Sequence, residues 1–106
     1  MDMNIDEVVV RDNAPENRYE ARVGNHLAIL TYERAPGHIT FIHTIVPPAL
    51  EGHGVADKMA RTVLEEARAA GLAVIPRCPY VAAYIRRHPQ YTDLVPPKER
   101  SLYLGS

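Results

Sequence analysis

Short β-branched and aromatic runs separated by turn residues occupy the first half of the chain, and a three- to four-residue apolar period takes over in the second. Residues 8–10 form the first run, residues 13–17 (Asn-Ala-Pro-Glu-Asn) break it, and residues 19–23 form the second. A tight Gly24-Asn25 turn leads into a third run over residues 26–32, which predicts a meander of three antiparallel strands. Ala35-Pro36-Gly37 ends the third, and residues 39–46 predict a fourth, central strand bounded by Pro47-Pro48. From residue 55 to 70, Val55, Met59, Val63, Leu64 and Ala67 recur at helical spacing with charged residues between them, so this stretch predicts an amphipathic helix closed by Gly71. Residues 72–75 predict a fifth strand. A strand, helix and strand of these lengths make a right-handed crossover with the two strands parallel, adjoining or flanking one cleft. Pro79 opens a second, short helix over residues 79–87, with Cys78 near its N-cap and His88-Pro89 as its stop. The tail, residues 96–106, is polar and is expected to dock loosely or fray.

The fold class is therefore α/β, with an α+β start: antiparallel meander, central strand, crossover helix, parallel fifth strand and short C-terminal helix. A chain of 106 residues holds one hydrophobic core, so residues 1–106 are expected to act as one domain, its core over 6–95. With 46% apolar and 24% charged residues and a formal net charge of -1, there is no electrostatic footprint for general nucleic-acid or membrane binding. No apolar run reaches membrane-spanning length, and the start lacks the features of a signal peptide; a cytoplasmic location is the expectation. The single cysteine cannot form an intramolecular disulfide. The histidines and Cys78 fall in no zinc-finger or HExxH spacing, so no metal is expected. An uncovered edge strand is compatible with a monomer or a weak homodimer.

The segment Glu51-Gly52-His53-Gly54-Val55-Ala56 lies between the fourth strand and the long helix, where unpaired backbone N–H groups and the helix dipole attract anions. Glycine permits positive φ and close backbone approach, so a pyrophosphate suits this turn. The plainer alternative is that two glycines merely turn the chain. Walker and Rossmann glycine patterns are incomplete here. Cys78 is read either as a small buried hydrophobe or as a thiol activated by the second helix's dipole. Strict alternation places Ile39, Phe41, His43 and Ile45 on one face of the fourth strand, so His43 is either a hydrogen-bonded core residue or a general base. Tyr84 is a possible acid on the second helix, with core packing as its plainer role; Tyr80 and Tyr91 read as lid or packing residues.

The stretch from His43 to Ala56, the following helix, Pro76-Arg77-Cys78-Pro79-Tyr80 and His88-Pro89-Gln90-Tyr91 together resemble the small, single-domain branch of the GNAT N-acetyltransferase superfamily. The motif of that superfamily is Gln or Arg, two arbitrary residues, Gly, one arbitrary residue, then Gly or Ala; residues 51–56 match at Gly54 and Ala56 and depart at Glu51. The resemblance implies that Ile45 and Val46 lend backbone groups to a pantetheine arm and that the loop over Glu51, Gly52, His53, Gly54, Val55 and Ala56 cradles the phosphates. Lys58 and Arg61 are expected to offset the Glu51 carboxylate. The implied cosubstrate is acetyl-coenzyme A and the partner an unidentified amine acceptor, with His43 and Cys78 flanking the acyl group. An N-acetyltransferase is the expected function, and a CoA-binding or interaction module with little turnover is the alternative.

Overall fold

The computed structural model describes residues 3–105. Period-two alternation builds one five-stranded sheet from β1 (Val10–Asn13), β2 (Arg18–Val23), β3 (His26–Ala35), β4 (His38–Ile45) and β5 (Ala73–Pro76). The strands lie in the order β1-β2-β3-β4-β5, all neighbours antiparallel except the parallel β4–β5 pair. The crossover between the parallel strands is α1 (Val55–Ala69); α2 (Pro79–Arg87) follows β5, and α3 (Pro97–Tyr103) ends the chain. The α/β class, the parallel fifth strand and the boundaries of the two main helices agree with the sequence pattern.

The helical period of α1 puts Val55, Met59, Ala60, Val63, Leu64 and Ala67 on its buried side. They pack on the sheet face formed by Tyr19, Ala21, Ala28, Leu30, Ile39, Phe41 and Val74. Leu30, Phe41, Met59 and Leu64 are fully buried, and each such side chain contributes about 1.5–3 kcal/mol relative to exposure. The small Ala21 and Ala28 face each other across β2 and β3, which leaves room for the helix to lie close. At the C-terminus of α1, Leu72 N donates to Ala67 O at 2.9 Å and Gly71 N to Arg68 O at 3.1 Å, a paired closure that requires the left-handed Gly71.

Two expectations need correction. The first strand begins at Val10, not Val8, because residues Ile5–Glu7 form a 3₁₀ turn capped by the Asn4 side chain, which accepts from Asp6 N at 3.0 Å. Val8 still enters the core, although outside the ladder. Of the two outcomes expected for the tail, docking holds through residue 103: α3 is tied by Arg86, which donates to Tyr103 O at 3.1 Å, and Val95 before it is fully buried. Last, β4 carries a bulge. Thr31 pairs with His43 and Tyr32 with Phe41, so Ile42 is the extra residue and the alternation changes phase. Thr44, opposite the buried Leu30, takes the core-facing side, while His43 and Ile45 turn to the other face and are exposed, Ile45 to 56%. His43 does not share the face of Phe41.

Tyrosine hydroxyls close the polar seams of the helix-covered face. Tyr19 donates to Glu66 at 2.9 Å, Tyr32 to Asp12 at 2.6 Å and Tyr91 to Glu65 at 2.6 Å. Burial first, and the carboxylate partner second, pushes the hydroxyls of Tyr32 and Tyr91 up to about 12, and that of Tyr19 upward as well. No helix among the described residues is long and apolar enough to cross a membrane.

Candidate functional site

The parallel ladder is short: β5 pairs with β4 only from His38↔Ala73 to Phe41↔Pro76. Pro76 has no N–H to continue it. The chain then turns, and Cys78 N donates to Phe41 O at 2.7 Å, the last backbone hydrogen bond between the two segments. Past Phe41, the β5-facing edge of β4 has no strand partner among the described residues. The two strands part there, and the gap opens into a cleft of ≈ 650 Å³. Thr44, Ile45 and Val46 form one wall, Tyr80 of α2 another, and the floor runs through Leu50, Glu51, Gly52, Gly54, Val55, Ala56 and Asp57. Every residue expected to bind the cofactor lines this cleft except His53, which is exposed on the turn between the two glycines.

The turn leaves its backbone donors free. Leu50 N and Glu51 N donate to Pro47 O and Pro48 O, and Lys58 N donates to Gly54 O; among the described residues, no amide from Gly52 to Asp57 has an acceptor. Gly54 is the N-cap of α1 at φ 85°, a left-handed conformation that a side chain disfavours, and no side chain caps the helix. A run of unsatisfied donors at the positive end of a 15-residue helix is an anion-binding arrangement.

Charge around the turn is less simple. Glu51 and Asp57 both line the cleft, and no lysine or arginine does so. Asp57 Oδ1 accepts from the Tyr80 hydroxyl and from Arg87 Nη2 at 3.2 Å. Burial, then the bond to Asp57, raises the Tyr80 pKa. Lys58, expected to offset Glu51, is engaged elsewhere: its Nζ donates to the carbonyls of Ile5 and Asp6 at 2.8 and 3.2 Å and fastens the N-terminal turn to α1.

Cys78 is buried at the N-cap of α2, with Sγ 3.1 Å from Thr44 Oγ1. The bulge thus brings Thr44, rather than His43, to the thiol. His43 lies on the opposite face of β4, its backbone N donating to Thr31 Oγ1 at 3.1 Å. Tyr84 is buried and stacked on His88 at 4.1 Å between centroids, with its pKa raised by burial; it packs rather than faces the cleft. Thr44, Leu50 and Asp57 are cleft residues that sequence reasoning missed. Asp57 was legible as a carboxylate at the third position of a glycine-opened helix, whereas Thr44 depends on the bulge. Among the described residues there is no group of three or more His, Cys, Asp or Glu placed to hold a metal ion.

The sequence profile of the GCN5-related N-acetyl-transferase family matches residues 18–94, from β2 through the 3₁₀ turn that follows α2, and so includes the whole cleft. No curated protein matches the chain. The match extends over well more than half of the sequence and falls on a five-stranded sheet with a parallel β4–β5 pair: the chain belongs to the GCN5-related N-acetyltransferase family, a family of acetyltransferases.

Proposed function

We propose that the protein transfers an acetyl group from acetyl-CoA to an amine, the whole chain acting as one cofactor-binding domain. The observation that carries this reading is the run of unpartnered amides from Gly52 to Asp57, opening into the same cleft as the unpaired edge of β4. The two features suit the two ends of one ligand. A diphosphate would lie against the amides at the start of α1, and the amides of a pantetheine arm would add to the edge of β4 at Ile45 and Val46 as an extended strand does. That path leads the thioester toward the gap where β4 and β5 part, past Phe41.

In the proposed reaction the acceptor amine approaches from the open face of the sheet, and His43, exposed on that face, takes its proton. The nitrogen attacks the thioester carbonyl, an N–H on the free edge of β4 stabilises the oxyanion, and the C–S bond breaks as the amide forms. The sulfur leaves as a thiolate and is protonated from solvent. Cys78, buried and bonded to Thr44, supports the wall of the site.

The second reading, a CoA-binding module without turnover, is favoured by one observation, that two acidic residues and no lysine or arginine line the cleft. Calorimetric titration with CoA and acetyl-CoA tests the shared premise. Wild-type protein is expected to bind both, and Gly54→Glu, with its charge and its disfavoured φ at the floor of the turn, to bind at least roughly tenfold more weakly while its circular dichroism stays native. Absence of binding by the wild type sinks both readings; binding without acetyl transfer to any of a panel of amines selects the second.

A further inference from the structure

We infer that Asp57 sets how tightly the anion end of the cleft holds its ligand, and that Tyr80 and Arg87 act through Asp57 as positioning residues. The inference rests on the reading that the diphosphate of CoA lies against the amides at the start of α1. Asp57 is the third residue of that helix, and its backbone N–H is one of the donors without an acceptor among the described residues. Asp57 lines the same cleft, and its carboxylate is bonded to the hydroxyl of Tyr80, which lines it too. Within one helical turn of roughly 5.4 Å, the protein therefore presents donors for an anion and a fixed negative charge that opposes one.

With no anion bound the carboxylate is favourable, because a negative group in the first turn complements the helix dipole. A bound diphosphate reverses the sign of that contribution. No lysine or arginine lines the cleft to offset it, and Glu51 is a second acidic residue of its lining. What limits the repulsion is the tether. The Tyr80 hydroxyl and Arg87 Nη2 both donate to Oδ1 of Asp57, from opposite ends of α2, and so hold the carboxylate toward that helix and spread its charge. Arg87 and Asp57 are each about half exposed, so the tether is a weak ion pair that serves to aim the carboxylate more than to stabilise the fold.

The effect is separable from the rest of the ligand because only the phosphates are charged. Calorimetry with CoA and with pantetheine, at low salt and at about 0.5 M salt, reads it. Asp57→Asn is expected to bind CoA roughly three- to tenfold more tightly than wild type at low salt, with the gain shrinking at high salt and pantetheine affinity unchanged. Tyr80→Phe, which keeps the ring and frees the carboxylate on one side, is expected to bind CoA roughly twofold more weakly, again without effect on pantetheine. Equal or weaker CoA binding by Asp57→Asn, or an equal gain for pantetheine, overturns the inference and leaves the cofactor reading standing. A Tyr80→Phe protein that binds CoA like the wild type removes the positioning role. If neither wild type nor Asp57→Asn binds CoA, the cofactor reading itself falls, and this inference with it.

Discussion

The two ends of α1 are built on different terms. Toward the C-terminus, the charged side chains have been given partners: Glu65 accepts from Tyr91, Glu66 from Tyr19, and Arg68 grips Asp93 with two bonds of 2.9 and 3.0 Å while also donating to Gln90 O. The last turn is closed by backbone bonds onto Arg68 and Ala67. At the N-terminus there is no capping side chain, the amides from Gly52 to Asp57 have no acceptor among the described residues, and a carboxylate is tethered at the rim. Unmet donors at a helix end are normally capped by side chains or water, because leaving them bare costs free energy. One end of the helix thus secures the fold, and the other has the open donors that the proposed phosphate site requires.

The largest expected effect comes from removing what the two ends share. Leu64 is fully buried on the underside of α1, facing the sheet. Leu64→Ala is expected to lower stability by about 2–5 kcal/mol, from lost apolar burial and the cavity left behind. Urea unfolding with an unchanged m-value measures it. Because the site hangs on the same helix, ligand affinity should be retained in the fraction that stays folded. A loss of affinity larger than the loss of folded protein would mean that the two ends are not independent.

Tyr91→Phe probes the closed end alone. It deletes one hydroxyl from a 2.6 Å bond to Glu65 and is expected to cost about 0.5–1.5 kcal/mol, with CoA binding unchanged. Its pH dependence has a definite sign. The Tyr91 hydroxyl is pushed up to about 12 by burial and by Glu65, against an ordinary value of 10.0, so the folded state favours the protonated form. The resulting stability is fully present below pH 10.0 and is lost as pH rises toward 12. Wild type should lose more stability than Tyr91→Phe across that window. Parallel alkaline curves for the two proteins would show that Tyr91 is not part of the seam.

How far this contrast was legible in the sequence differs between its halves. The apolar period of α1, its stop at Gly71, the start of α2 at Pro79 and the glycine-bearing turn at residues 51–56 are local signals, and each lies where the residues indicate. The Tyr19–Glu66 bond joins residues 47 apart, and no local pattern announces it. The bulge at Ile42 was hidden for another reason. From Ile39 to Val46 nearly every residue is apolar or β-branched, so a shift of phase leaves the hydrophobic pattern almost unchanged and only the pairing shows it. That shift is what moves Thr44 to Cys78 and His43 to the open face. The docking of α3 was obscured by a polar tail whose anchor, Arg86 to Tyr103 O, again depends on tertiary contact. Pro76, by contrast, is a visible reason for the cleft: a residue without an N–H at the end of a parallel strand ends the ladder.

The smallest expected effect concerns Cys78, and it decides how the open end is used. The thiol is 1% exposed, sits at the N-cap of α2 and shares a 3.1 Å hydrogen bond with Thr44, a setting that holds the wall of the cleft in place. In Cys78→Ser the hydroxyl keeps a partner in Thr44 and fills nearly the same volume. Direct transfer therefore predicts a turnover within about threefold of wild type, while His43→Gln, which removes the proposed base, lowers kcat by roughly a hundredfold or more. A covalent route reverses the pair: the serine variant loses turnover with CoA affinity intact, and acetyl-CoA alone leaves an acetyl group on Cys78 that intact-protein mass spectrometry detects. Transfer through the sulfur would require the thioester to reach the buried side of β4, beside Thr44, whereas direct attack needs only that the carbonyl reach the gap past Phe41, where an amine from the open face meets it. The phase change at Ile42 separates these two routes by placing the histidine and the cysteine on opposite sides of one strand.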